Sequence, residues 1–180
     1  MGKLFSDLDA ERAAFIAAQP MFFVATACAE GRVNCSPKGM DTLRVLDART
    51  VAYLDLTGSG NETAAHLRAD GRLTLMWCAF AGSPKILRTY GRGRVVFPDQ
   101  AEWSTLAPRF PALAGARQII VQSVESVQTS CGFGVPRMEL VGERDQLVRW
   151  AETKGPAGVT AYRREKNVRS LDGLPTDVRP

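Results

Sequence analysis

The chain has 180 residues, 45% of them hydrophobic and 23% charged, with 23 Lys and Arg against 19 Asp and Glu. That is an ordinary soluble globular composition, long enough for one domain with a substantial core. The net charge of +4 is too small to imply nucleic acid by itself, and no stretch is apolar enough to cross a bilayer or form a signal-peptide core, so the expected setting is the cytoplasm.

Residues 6 to 19 read as a helix opened by a capping box at Ser6 and Asp9, with Leu8, Phe15 and Ile16 on its apolar side and Pro20 closing it. "MFFVATACA" then changes to a buried strand. Glu30-Gly31 supplies a turn, and "RVNCSP" places Val33 and Cys35 on one face of a second strand, which predicts a hairpin. A short strand follows at Leu43 to Leu46, a turn at Asp47 to Arg49, and the apolar run "TVAYLDL". That run enters the polar loop Thr57 to Asn61, ahead of a short helix from Glu62 to Ala69 that Asp70-Gly71 ends. Two readings fit the loop. It can be a plain strand-to-helix turn with Ser59 or Asn61 as N-cap. It can also be an anion cradle, in which glycines admit a phosphate, hydroxyls donate to it and the helix aims its free N–H groups at it.

"RLTLMWCAF" and "KILRTYGRGRVVF" are two further strands, linked by "AGSP", and Trp77 among Leu75, Met76 and Phe80 reads as core. The second strand puts Ile86, Arg88, Tyr90, Arg92 and Arg94 on one face. Such a face can hold phosphate or stack on a base, or it can be the solvated outside of a barrel. Helical character returns at Asp99 to Leu106, followed by a proline-marked loop and the long β-rich stretch "RQIIVQSVESVQTS". "GERDQLVRWAETKG" is a helix with Leu147, Val148 and Trp150 on its apolar side and Gly155 in the stop position. The tail from Lys166 to Pro180 is polar, either loose or wrapped on a neighbour. About six strands with mostly tight turns, plus peripheral helices, predict an antiparallel barrel in an α+β, mainly β arrangement.

Visible catalytic machinery is sparse. The single histidine, His66, lies mid-helix and reads as a packed or surface residue, and no Ser-His-Asp set, Cys-His set or carboxylate pair stands out. Cys28, Cys35, Cys78 and Cys131 form no C-x-x-C pair, so buried free thiols are expected and no metal site. No catalytic side chain is assigned. This favours a binding module or a protein whose cofactor does the chemistry.

The order of "FFVATACAEGRVNCSPKG", "VAYLDLTGSGNETAAHLRADGRLTLMWCAF" and "ILRTYGRGRVV" behind an N-terminal helix resembles the pyridoxamine 5'-phosphate oxidase-like family of FMN-binding split β-barrel proteins. The resemblance spans roughly residues 10 to 97, with a looser match through Ser130. It implies a six-stranded antiparallel split β-barrel with peripheral helices, a single flavin-binding domain over residues 1–180 with C-terminal helices and tail from about 142. It also implies a homodimer, FMN in two clefts at the subunit interface, and a small-molecule substrate. Carried onto this chain, the strand beside the flavin ring supplies Ser36 and Lys38. The phosphate-holding junction supplies Thr57, Gly58, Ser59, Asn61, Glu62 and Thr63.

The chain also departs from that pattern. Many members place a Ser-Arg-Lys type run at the helix start, whereas Asn61-Glu62-Thr63 removes two cations and sets a carboxylate beside a phosphate. Lys38, Arg88 or a residue of a partner chain is expected to compensate. The tail has no histidine, unlike the arginine-and-histidine motif with which the true oxidases grip pyridoxal phosphate, so that activity is not expected. Residues 131–136 and 166–175 are expected to cover the neighbouring subunit's cleft.

Three functions compete. The first is a flavin-dependent oxidoreductase taking electrons from a small donor, with Lys38 favouring the reduced ring. The second, which Glu62 favours, is a non-catalytic flavin or deazaflavin binding or storage protein; haem is less attractive with only His66 as an axial histidine. The weakest is nucleic-acid binding through Arg88, Arg92 and Arg94, given a pI of about 9.1.

Overall fold

Hydrophobic alternation lays out the strands, and turns rich in Gly, Asp and Pro separate them. In chain order the elements are β1 Lys3–Phe5, α1 Ala10–Ala17, β2 Phe22–Thr26, β3 Asn34–Lys38, β4 Leu43–Asp47, β5 Thr50–Leu56, α2 Glu62–Ala69, β6 Arg72–Cys78 and β7 Ile86–Val96. Then come α3 Ala101–Leu106 with a 3-10 turn at Ala107–Arg109, β8 Ala116–Ser130 and α4 Gln146–Lys166. This computed structural model describes residues 2–179; Met1 and Pro180, the two ends of the expected domain, lie outside the described residues.

All pairings are antiparallel, in the order β3-β2-β6-β7-β8-β5-β4, with β1 on the far end of β8. In β2 the buried positions are Phe22, Val24 and Thr26, and in β6 they include Leu73, Leu75 and Trp77, the period-two signature of one packed face. The sheet curls. Phe22 and Tyr53 have three strands between them in that order, yet their rings meet edge-on with centroids 5.4 Å apart. Inside the curl, Val24, Val51, Leu75, Trp77, Leu87 and Ile120 form one core, each large side chain contributing roughly 1.5–3 kcal/mol by leaving water. A second cluster, Leu54, Val96, Leu106, Phe110 and Ile119, covers the outer face of β5 and β8 under α3. That is why β5 is buried on both faces from Val51 to Leu56.

The α+β, mainly β antiparallel arrangement is what the strand pattern predicts and the split barrel what the resemblance implies, with differences in detail. Eight strands are present rather than six. The stretches marked along the sequence correspond to seven of them, β2 to β8. The one that sequence reading lacked is β1, whose three residues pair with the end of β8 beyond β5 and leave no burial alternation to read. The first helix is capped by Asp9 alone, which accepts from Arg12 N at 2.9 Å, while Ser6 bonds Asp7 instead. Gly155, at φ 65°, breaks α4 but does not end it, because Pro156 starts a second helical stretch that runs to Lys166. Of the four thiols only Cys78 is buried, and Cys35 and Cys131 are exposed. No helix among the described residues is long and apolar enough to cross a membrane.

Candidate functional site

β5 ends in a charge. Asp55 follows Val51 and Tyr53 in the inward-facing row and is only 1% exposed, and a carboxylate taken out of water must find donors. It finds three. Lys38 Nζ from β3 lies 2.8 Å from Oδ1, while Arg117 Nε and Gln118 Nε2 from β8 each lie 2.8 Å from Oδ2. The β5–β8 ladder sets this geometry by pairing Asp55 with Gln118. Burial by itself would raise the Asp55 carboxyl, but the charges of Arg117 and then Lys38, with their hydrogen bonds, outweigh it and hold the group well below the usual carboxylate range. One carboxylate between two cations leaves the cluster net positive.

The cluster reaches outward through its side chains. Arg117 Nη1 donates to Gly60 O and to Asn167 Oδ1, both at 2.9 Å, and its Nη2 has no protein partner among the described residues. Gln118 Nε2 also donates to Asn61 Oδ1 at 2.8 Å, so the side chain at the N-cap position of α2 makes no capping bond, and the buried Asn61 Nδ2 is left without a partner among the described residues. Above them lies a cleft of about 550 Å³, within the range of small-ligand sites. Asn34, Ser36 and Lys38 form one side, Gly58 to Gly60 with Glu62 and Thr63 another, Asp55 and Arg117 the floor, and Lys166 with Arg169 to Leu171 the outer wall. A second cavity, of about 420 Å³ beneath α1, holds a single pair of opposite charges, Asp41 and Arg44, joined at 2.6 Å. It lacks convergent free donors, so the chemistry points to the first.

The sequence-predicted residues divide. Ser36, Lys38, Gly58, Ser59, Glu62 and Thr63 meet in one cleft. Thr57 does not line it: its hydroxyl donates to Gly115 O and accepts from Arg163 Nε, each at 2.8 Å. Asn61 lies beneath the loop, 2% exposed. Arg88 lies elsewhere, on the outer face of β7, 3.3 Å from Ser130 Oγ. Ser36 Oγ donates to Asn34 Oδ1 at 3.0 Å, and Asn34 Nδ2 donates to Thr63 Oγ1 and Thr26 Oγ1 at 3.2 Å. His66 Nδ1 meets Thr26 Oγ1 at 3.0 Å, so the single histidine is a buried packing partner.

Sequence reading missed Arg117, Asn34, Lys166 and Arg169. Arg117 and Asp55 did leave a signal, since a charge inside an apolar strand is buried only when paired. The cations that line the cleft are Lys38, Arg117, Lys166 and Arg169; Arg88 does not line it. Within the 166–175 segment, Lys166 and Arg169 to Leu171 line the cleft of their own chain, and the Leu171 N–H bonds Glu62.

A family model for pyridoxamine 5'-phosphate oxidase matches residues 8–131, the stretch that builds every wall of the cleft except the outer one. The chain belongs to the pyridoxamine 5'-phosphate oxidase family. It is 39% identical over 175 residues to the pyridoxamine 5'-phosphate oxidase family protein ustO of Aspergillus flavus, covering 87% of this chain and 70% of that one. Among solved structures, HupZ of Group A Streptococcus superposes with a TM-score of 0.54 at 19% identity, covering 67% of this chain and 91% of that one. The FAD binding protein from Mycobacterium smegmatis superposes at 0.50 with 14% identity, covering 70% and 97%. At such identities these structures share the family's fold.

Proposed function

We propose that this family member is a flavin-dependent oxidoreductase that holds FMN in the Asp55–Arg117 cleft, at a homodimer interface, and acts on a small molecule. The observation that carries the reading is the charge balance of that cleft: four cationic side chains, Lys38, Arg117, Lys166 and Arg169, against two carboxylates. Both carboxylates are already engaged, Asp55 by its three donors and Glu62 by the Leu171 N–H. The remaining donors favour an anionic ligand.

The residues present fit a nucleotide. A Cβ added to Gly58 meets no atom within 4 Å, and one at Gly60 meets only Glu62 Oε1 at 3.6 Å, so the loop backbone borders open space that a phosphate can approach. Asn61 Nδ2 is an orphaned buried donor in the same loop, the kind of group that calls for an acceptor. Arg117, Ser59 and the backbone of Gly58 to Gly60 would hold the phosphate end, while Ser36 and Lys38 would stand beside the ring. A bound flavin supplies the two-electron redox chemistry, for which the cleft offers no uncommitted carboxylate, thiol or imidazole of its own. The protein's part is placement and charge: Lys38, steadied by Asp55, sits where negative charge is favoured. That the fold is shared with a protein described as FAD binding supports the cofactor class.

Absorbance of the purified protein after FMN addition and desalting tests this reading. Retained visible flavin absorbance is expected, and its absence overturns the assignment. Anaerobic bleaching by NADH or NADPH then separates the oxidoreductase from the second reading, a flavin or deazaflavin storage protein, which the absence of a free acid–base group in the cleft also accommodates.

A further inference from the structure

The outer wall of the cleft lies beyond the part of the chain that the family model matches, which stops at residue 131. After α4 the chain does not trail away. Residues 167–176 fold into a closed loop in which Ser170 N bonds Leu174 O at 2.9 Å, Gly173 N bonds Ser170 O at 3.0 Å, and Arg169 bridges to Pro175. Arg169 Nη1 crosses the loop to Gly173 O at 2.8 Å.

Three anchors tie this loop to distant parts of the chain. Asn167, fully buried, accepts from Arg117 and donates to Gly58 O at 3.1 Å. At the far end the Asp172 carboxylate accepts from Arg32 N at 2.7 Å and pairs with the Arg32 guanidinium on the β2–β3 turn. That turn has a glycine where the loop docks: a Cβ on Gly31 would stand 2.6 Å from Asp172 Oδ2. Between these two anchors, the Leu171 N–H donates to both carboxylate oxygens of Glu62, at 3.0 and 3.1 Å. Glu62 is the residue whose charge looks wrong for a phosphate site. Its carboxylate is spent on the loop.

We propose that residues 166–171 form an anion clamp that grips the phosphate of the bound nucleotide through Arg169 and Lys166, and that Glu62 is the positioning residue that seats it. The proposal rests on the flavin reading of the cleft. The clamp returns to the site, from a segment about a hundred residues away in sequence, the two cations that Glu62 and Thr63 displace. An arginine fork prefers a phosphate oxyanion over the neutral hydroxyl that riboflavin offers in its place. Lys166 is exposed and, among the described residues, paired only with its neighbour Glu165 at 2.8 Å, an arrangement that holds it weakly and leaves it available.

The test compares FMN with riboflavin, each titrated against the full chain by quenching of flavin fluorescence. Wild type is expected to favour FMN at least tenfold. A Lys166→Ala/Arg169→Ala variant should lose most of that preference while keeping its affinity for riboflavin. Glu62→Ala should lose it as well, whereas Glu62→Gln, which keeps an acceptor for Leu171 N, should retain it. An unchanged preference in the double variant overturns the clamp and leaves the flavin reading standing. Equal loss of both ligands also overturns it, because the loop then acts on the fold and not on the phosphate. Wild-type protein that binds neither flavin overturns both readings.

Discussion

β7 and β8 lie side by side from Ile86–Ser130 to Val96–Ile119, and they use arginine in opposite ways. On β7, Arg88, Arg92 and Arg94 face outward and find local partners: Ser130 Oγ on the adjacent strand, the Asp70 carbonyl at 2.6 Å, and the Glu102 carboxylate at 2.7 and 2.6 Å. On β8, Arg117 is 8% exposed and its partners come from β5, the loop before α2 and the end of α4. Exposed guanidinium groups keep most of their hydration and contribute little by pairing. A buried one must be satisfied by whatever the fold brings to it, so it marks the point where distant segments converge. The contrast separates a decorated surface from a site.

Replacing Arg117 is the strongest way to break that contrast. Arg117→Met removes one of the two cations facing Asp55 and strands the Gly60 and Asn167 acceptors. Removing one partner of a buried ion pair costs about 3–5 kcal/mol. For a chain of this size that is a fall in Tm of roughly 10 °C at about 2–4 °C per kcal/mol. FMN affinity should fall in parallel, because Asn167 and Gly58 lose their alignment. Thermal melts monitored by circular dichroism measure the first effect and flavin titration the second. A melting point within a few degrees of wild type would place Arg117 with the β7 arginines and dissolve the distinction.

Asp55 gives the next effect, and it carries a sign. Its folded pKa is lowered, so between that value and the ordinary 3.8 of an unfolded Asp the unfolded chain binds more protons and stability rises with pH. The contribution is complete above about pH 5 and drains away as the pH falls through the unfolded value toward the folded one. Asp55→Asn should remove this acid-side slope and, at neutral pH, lower stability by about 1.5–3 kcal/mol, the worth of hydrogen bonds to charged groups. Urea unfolding at pH 7 and at pH 3.5 reads both: the gap between wild type and variant should be wide at pH 7 and narrower in acid. A gap that widens in acid would mean that Asp55 is not the proton-linked group.

How much of this was readable without coordinates follows from the range of the forces involved. β2, β6 and β7 were legible because alternation is a local consequence of pleating, β5 because it is one continuous apolar run, and the Gly155 break because positive φ belongs to the residue itself. The cleft was legible on its barrel side, at Ser36, Lys38, Gly58, Ser59, Glu62 and Thr63, through the ordered resemblance of the motifs. Thr57 was misplaced among the ligand groups because nothing in "DLTGSG" reveals that Arg163 and Gly115 claim its hydroxyl. The loop at 167–176 was opaque for the same reason. It has no periodicity, and its order comes from contacts such as Glu62 with Leu171 and Arg32 with Asp172, which join residues more than a hundred positions apart. Arg117 lies between these cases. Its charge within "ARQIIV" was a signal of burial with a partner that went unread, and the partner's identity required the β5–β8 register.

The smallest effect sharpens the comparison from the β7 side. Replacing Arg88, Arg92 and Arg94 together by Ala should leave FMN affinity unchanged, since none of them lines the cleft. Arg94 and Glu102 remain about half exposed in their ion pair, so their loss costs about 0.5 kcal/mol or less, within about 2 °C in Tm for a chain of this length. The same variant tests whether this face binds nucleic acid. Phosphate binding through three arginines would appear as an oligonucleotide affinity that falls steeply with salt and is lost in the variant. A fluorescently labelled single strand titrated at low and moderate salt should show no binding to either protein. Each of these guanidinium groups already donates to a neighbour on its own surface, and none of them lines either cavity described above.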